Sequence, residues 1–145
     1  MMASTDMTKQ AVDDASAALY GKGPVQMVNL LRFRDQAHYA DGSDLPPASG
    51  MDVYMTRYVP AFAEVAAKMA PGEAFSPVFL GGVAATLVAE PGEAWHAVAI
   101  VQYKTFESLK KVIDSLEYEQ KAAPHRRAAL ADWRFIATQT MDLPA

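Results

Sequence analysis

Apolar and polar positions change period several times along the chain, and each change marks an element. From Thr5 to Tyr20, Met7, Ala11, Ala15, Ala18 and Leu19 recur near helical spacing while Lys9, Asp13 and Asp14 fall off the stripe, which predicts a modest amphipathic helix. Gly21-Lys22-Gly23-Pro24 ends it. Val25 to Phe33 then reads as a strand with Met27, Asn29, Leu31 and Phe33 on one face and Gln26, Val28, Leu30 and Arg32 on the other. Residues 34–50 form a long polar connection with adjacent prolines, expected to cover a pocket. Ser49 and Asp52 resemble a capping box and start a helix at about Gly50, whose Tyr54, Tyr58, Ala61, Val65 and Met69 share a face. Pro60 must bend that helix or open a second segment, because it lacks a donor and crowds the preceding turn.

After the break Ala70-Pro71-Gly72-Glu73-Ala74-Phe75-Ser76-Pro77, residues 78–90 are rich in β-compatible side chains, with Gly81 and Gly82 suggesting a bulge. A turn at Pro91–Glu93 leads into a second run, Trp95 to Tyr103, so residues 78–103 predict a hairpin. Thr105 caps a helix whose Phe106, Leu109, Ile113 and Leu116 share a face. Ser115 and Pro124 punctuate a further helical stretch to about Leu130, and Arg134 to Thr140 predicts a last strand. Strand, helix, strand, strand, helix, strand is the ferredoxin-like βαββαβ order. The fold class is therefore α+β, an antiparallel sheet with helices on one face and an extra N-terminal helix. The other sheet face needs a cover, and a second copy of the chain is the simplest one.

Composition narrows this further. A chain of 145 residues with 51% apolar and 21% charged residues is expected to fold as one domain, with residues 1–22 as an N-terminal helical extension and 24–140 as the core. The absence of cysteine removes disulfides, thiolate nucleophiles and iron–sulfur ligation, and a cytoplasmic location is expected. The polar start, MMASTDMTKQ, has no apolar stretch of the kind a secretion signal needs, and no run reaches the length of a membrane helix. A net charge of -4 argues against a nucleic-acid partner.

The stretches VNLLRF, SGMDVYMTRY, GEAWHAVAIVQY and above all FESLKKVIDSLEYEQKAAPHRRAALAD resemble the domain of unknown function 1330 family, a branch of the dimeric α+β barrel superfamily. The resemblance runs from about Pro24 to Ile136, and its most specific piece is Ser-x-Glu-Tyr, Ser115 to Tyr118, followed by His125-Arg126. It implies a homodimer built through the open sheet face. The superfamily includes cofactor-free monooxygenases, isomerases, haem-degrading enzymes and dimers without established chemistry, so fold alone does not choose a function.

Six residues are the candidate site. Asn29 shares its strand face with apolar neighbours, and a buried amide must bond protein, water or ligand, since leaving it unpaired costs about 1 to 3 kcal/mol. Arg32, on the opposite face, is either an ion-pair partner or a carboxylate binder. Tyr54 and Tyr58 are core residues by default, but over a cavity their hydroxyls would orient a ligand. Trp95 would supply a flat wall. His125, beside Arg126, is either a surface or capping histidine or the group that moves protons. The three histidines show no metal spacing, there is no dinucleotide fingerprint, and neither metal nor cofactor is expected. The leading expectation is a small-molecule-binding homodimer for an apolar or aromatic metabolite, with cofactor-independent oxygenase or isomerase chemistry as its catalytic form. The alternative is a non-catalytic ligand-binding or dimer-assembly module.

Overall fold

The structure, a computed structural model, describes residues 3–73 and 75–144. Met1 and Met2 of the polar start, Ala74 of the break before the hairpin and the terminal Ala145 lie outside the described residues. In chain order the elements are α1 (Lys9–Leu19), β1 (Val25–Phe33), α2 (Gly50–Val53), a π-helical turn (Tyr54–Tyr58), α3 (Val59–Met69), β2 (Ser76–Gly82), β3 (Ala97–Tyr103), α4 (Phe106–Ile113), α5 (Leu116–Lys121), α6 (Ala123–Ala129) and β4 (Leu130–Thr138). The four strands form one sheet of order β2-β3-β1-β4, antiparallel throughout, which is the ferredoxin-like arrangement.

The alternation in β1 sets the layers. Val25, Met27, Asn29, Leu31 and Phe33 are all buried, while Arg32 is exposed and Gln26, Val28 and Leu30 are half-buried. Pairing Asn29 with Ala99 and Phe135, and Leu31 with Ala97 and Trp133, extends the inner face across β3 and β4. Against it pack Val53, Phe62 and Val65 from the helix after β1, and Leu109 and Val112 from α4. Val28, Leu30, Val98, Ile100 and Ile136 lie on the other face, half-buried or exposed.

Local signals account for the helix starts. Ser49 Oγ accepts from Asp52 N at 3.1 Å, Thr105 Oγ1 from Ser108 N at 3.0 Å and Ser115 Oγ from Tyr118 N at 3.1 Å, each satisfying an otherwise orphaned donor. Pro60 is absorbed by the π turn just before it. Val59 N–H reaches back five residues to Tyr54 O, and the widened turn accommodates the missing donor without ending the helix.

Several boundaries differ from the sequence expectation. The first helix starts at Lys9, capped by Thr8, and leaves Thr5–Met7 as an unwound strap. After the π turn the buried stripe passes through Phe62, with Ala61 and Met69 only half-buried. β2 stops at Gly82, so residues 83–96 are a long connection; the register shift falls between Pro77 and Phe79, not at Gly81-Gly82. Leu116 opens α5 at 66% exposed, because the chain turns at Asp114-Ser115 before it can continue the stripe of α4. β4 begins at Leu130, four residues ahead of the expected start, straight out of α6.

Candidate functional site

Between the inner sheet face and the helices lies an apolar cavity of about 170 Å³. Its floor is Asn29, Ala99, Val101, Trp133 and Phe135; Tyr54, Tyr58 and Phe62 form its roof, and Tyr103, Leu109, Ile113 and Tyr118 close it. Met55, Val59, Phe79 and Leu80, each between 39% and 58% exposed, make an apolar rim where the edge strand meets the helix. The aromatic rings hold one another in place: Tyr54 lies 5.0 Å from Tyr58, Tyr118 meets Tyr58 and Phe62 edge-on, and Trp133 stacks on Phe135 at 4.9 Å.

A polar chain runs behind these walls. Asn29 Nδ2 donates to Ala99 O at 3.2 Å, and its Oδ1 accepts from Trp133 Nε1 at 3.0 Å. The buried Arg126 guanidinium lies 4.7 Å from the Trp133 ring and donates from Nε to Tyr118 Oη at 3.1 Å. Tyr118 Oη is in turn 2.9 Å from Tyr58 Oη. Two phenols behave differently. Among the described residues no hydrogen bond reaches the hydroxyl of Tyr54 or of Tyr103, although both rings are buried. Since no described side-chain N or O is both sealed from solvent and unpartnered, both hydroxyls remain accessible, and both residues line the cavity. Burial first, and neighbouring phenols second, push Tyr54, Tyr58 and Tyr103 above the ordinary phenol range, so these three stay protonated at neutral pH and offer donors, not a base.

Three of the six residues singled out from sequence, Asn29, Tyr54 and Tyr58, therefore meet in the cavity. The other three stand away from its lining. Arg32 projects from the opposite sheet face into solvent. Trp95 lies ahead of β3, donating Nε1 to Glu93 Oε2 at 2.8 Å with the Arg134 guanidinium 5.2 Å from its ring. His125 Nδ1 is 2.7 Å from Tyr39 Oη, which also accepts from Arg57 Nη1 at 3.2 Å. Burial and the Arg57 charge hold His125 below the ordinary histidine range, so the Tyr39 hydroxyl donates to a neutral ring. The same contacts pin the connection 34–49 against α6, together with His38 N to Ala128 O, while Ala37 N to Ala48 O closes the connection on itself. None of its residues lines the cavity, so the expected cover is a side strut instead.

Tyr103, Tyr118, Arg126 and Trp133 are the residues that sequence reasoning did not assign to the site. Tyr103 continues the inward alternation Ala97, Ala99, Val101, and Tyr118 ends the Ser-x-Glu-Tyr tract, so both carried a legible signal.

No family model matches the chain, and no curated protein does. Among solved structures it is similar to the RPA0582 protein of Rhodopseudomonas palustris, a protein of unknown function, at 25% identity and TM-score 0.80, covering 98% of this chain and 100% of that one. The methylated RPA0582 protein aligns at 26% identity and TM-score 0.77 over 98% of both chains. A further structure, from Bacteroides fragilis NCTC 9343, is described as a dimeric protein of unknown function with a ferredoxin-like fold; it covers 81% of this chain and 96% of its own at 15% identity and TM-score 0.40, too distant to bear on this chain. The overall chain path is thus shared with RPA0582, and no activity comes with it.

Proposed function

We propose that this chain binds a small aromatic or otherwise apolar molecule carrying a hydrogen-bond-accepting oxygen, inside the cavity between sheet and helices. The observation that carries the reading is the pair of accessible, unpartnered phenols, Tyr54 and Tyr103, in an otherwise apolar hollow. A few polar groups in the lining of a mostly apolar cavity are what orient a small ligand, and two free donors offer a site for its acceptor oxygen. The volume suits a single ring, since apolar cavities of about 150 Å³ take up benzene. Oxygenase or isomerase chemistry finds less support: three phenols are protonated and the one histidine singled out as a base lies outside the lining, so the non-catalytic alternative fits the geometry better.

Two further parts belong to the same reading. The chain's place in the domain of unknown function 1330 family is supported by the role of its most specific tract, which supplies Tyr118 to the cavity wall and Arg126 to the polar chain behind it. A homodimer through the open sheet face is supported by the apolar character of Val28, Leu30, Val98, Ile100 and Ile136, which a lone protomer leaves to water.

The test is a ligand-observed NMR titration with phenylacetamide, one ring bearing one carbonyl. Tyr54→Phe and Tyr103→Phe are each expected to weaken binding about fivefold, the worth of one hydrogen bond. Ala99→Leu, which fills the floor, should abolish it. Binding unchanged in Ala99→Leu would remove the cavity from consideration.

A further inference from the structure

Arg126 has an unusual set of partners for the most deeply buried cation in the chain. Its side chain is 2% exposed, and yet the carboxylate that neutralises it belongs to Asp6, whose side chain is 54% exposed. That carboxylate stands 3.1 Å from Nη2, and Nη1 donates to the Thr5 backbone carbonyl, so the acceptors of both terminal nitrogens come from the unwound strap ahead of α1. The remaining contacts, Tyr118 and Trp133, are walls of the apolar cavity. On the far side of Tyr118 lies a second, polar hollow of about 430 Å³ reached by Asp6, Arg126 and Arg127. Three residues line both hollows: Tyr118, Ile113 and Met7. Tyr118 and Ile113 belong to helices α5 and α4, whereas Met7 is the side chain next to Asp6 on the strap. Its side chain is the only strap element of the partition between an apolar chamber and a buried guanidinium.

From this we infer that Arg126 is the anchor for a carboxylate-bearing ligand, an apolar or aromatic monocarboxylic acid, and that Thr5–Met7 holds its place in the free protein. The inference rests on the cavity reading above and names the ligand class for it. Asp6 stands where the ligand's carboxylate goes, Thr5 O takes the second guanidinium position, and Met7 occupies the space through which the ring connects to its acid group. Arg is the side chain suited to this exchange, because its planar fork accepts one carboxylate in place of two separate acceptors. The strap is held by few ties that a ligand must break: Ser4 N to Asp132 Oδ1 at 2.8 Å, the contacts to Arg126, and Arg127 Nε to Asp6 Oδ1 at 3.0 Å. A strap of this kind competes with the ligand, so weakening it raises apparent affinity without touching the pocket.

The experiment compares phenylacetate with phenylacetamide, which share a ring and differ in charge, against wild-type protein and the Asp6→Asn variant. Asn keeps the size and the Oδ1 acceptor and removes only the negative charge. Phenylacetate is expected to bind Asp6→Asn about tenfold more tightly than wild type, while phenylacetamide is unchanged. Amide hydrogen exchange supplies a readout that a purely structural strap would not move: the Ser4 amide, which donates to Asp132 Oδ1, should lose protection when wild type is saturated with phenylacetate and keep it with phenylacetamide. Arg126→Met, if it folds, should bind the two compounds alike. Binding of the amide with no gain for the acid in Asp6→Asn, or an unchanged strap in exchange, overturns this inference alone. Binding of neither compound overturns it together with the cavity reading.

Discussion

The amide in the middle of β1 is the sharpest place to test how this interior is held together. In Asn29→Leu the side chain keeps its branching and its number of heavy atoms and loses both hydrogen bonds. Trp133 Nε1–H, on a residue 7% exposed, is left without its acceptor at 3.0 Å, and Ala99 O loses a donor at 3.2 Å. An orphaned buried donor costs about 1–3 kcal/mol, and the second bond adds about 0.5–1.5 kcal/mol. The leucine recovers part of this through apolar burial, on the order of 1 kcal/mol. The net expectation is destabilisation by about 2 kcal/mol, or a melting temperature lower by about 6 °C for a chain of this size. Urea unfolding followed by circular dichroism measures it, and a double-mutant cycle with Trp133→Phe isolates the pair. Because phenylalanine has no N–H, Trp133→Phe should cost about 1–2 kcal/mol less in the Asn29→Leu background than in wild type. The loss of the Arg126 contact with the indole occurs in both backgrounds and cancels. A coupling indistinguishable from zero would refute the view that Asn29 is there to serve the indole.

Gly50→Ala should destabilise by about 3 kcal/mol or more in urea unfolding, since a β-carbon at Gly50 would overlap Arg34 O and Ala129 O where β1, α2 and α6 meet; a loss under about 1 kcal/mol would show that this junction yields. His125→Gln tests the strut. The folded-state pKa of His125 is below the ordinary 6.5, so its stability contribution is complete above that pH and is lost as the pH falls below 6.5 through the folded value. Between pH 7.5 and pH 5 the wild type should therefore lose more stability than His125→Gln, and equal losses would refute the neutral-ring assignment. Ile136→Glu, opposite Val28 on the open sheet face, should convert a dimer to a monomer by light scattering with unchanged circular dichroism; an unchanged mass would remove that face from the interface.

Where the sequence was legible, it was legible for local reasons. Period-two alternation assigned Asn29 to the inner face of β1, and the structure puts it there. Ser49, Thr105 and Ser115 act on donors three residues away, so their caps could be read from spacing alone. The π turn was not readable, because the sequence offers Pro60 as an obstacle but does not say whether a helix breaks, bends or widens around it. The end of β2 was missed for a similar reason: residues 83–90 have strand-like composition, but past Val83, whose N–H still reaches His96 O, no described strand pairs with them.

Asn29 and Trp133 are 104 residues apart, and no local pattern couples them; the register of β1 on β4 does. His125 and Arg126 show the same limit at its narrowest. They are adjacent, yet a helix turns about 100° per residue, so the two side chains leave it in different directions. The sequence by itself determined the face on which Asn29 lies, the helix starts at Ser49, Thr105 and Ser115, and the presence of polar groups among apolar ones. Only the tertiary structure decided that Arg126 enters the core beside Tyr118 while His125 turns to Tyr39, because that choice depends on where α6 packs against the sheet, and side-chain direction follows from packing that no spacing of residues records.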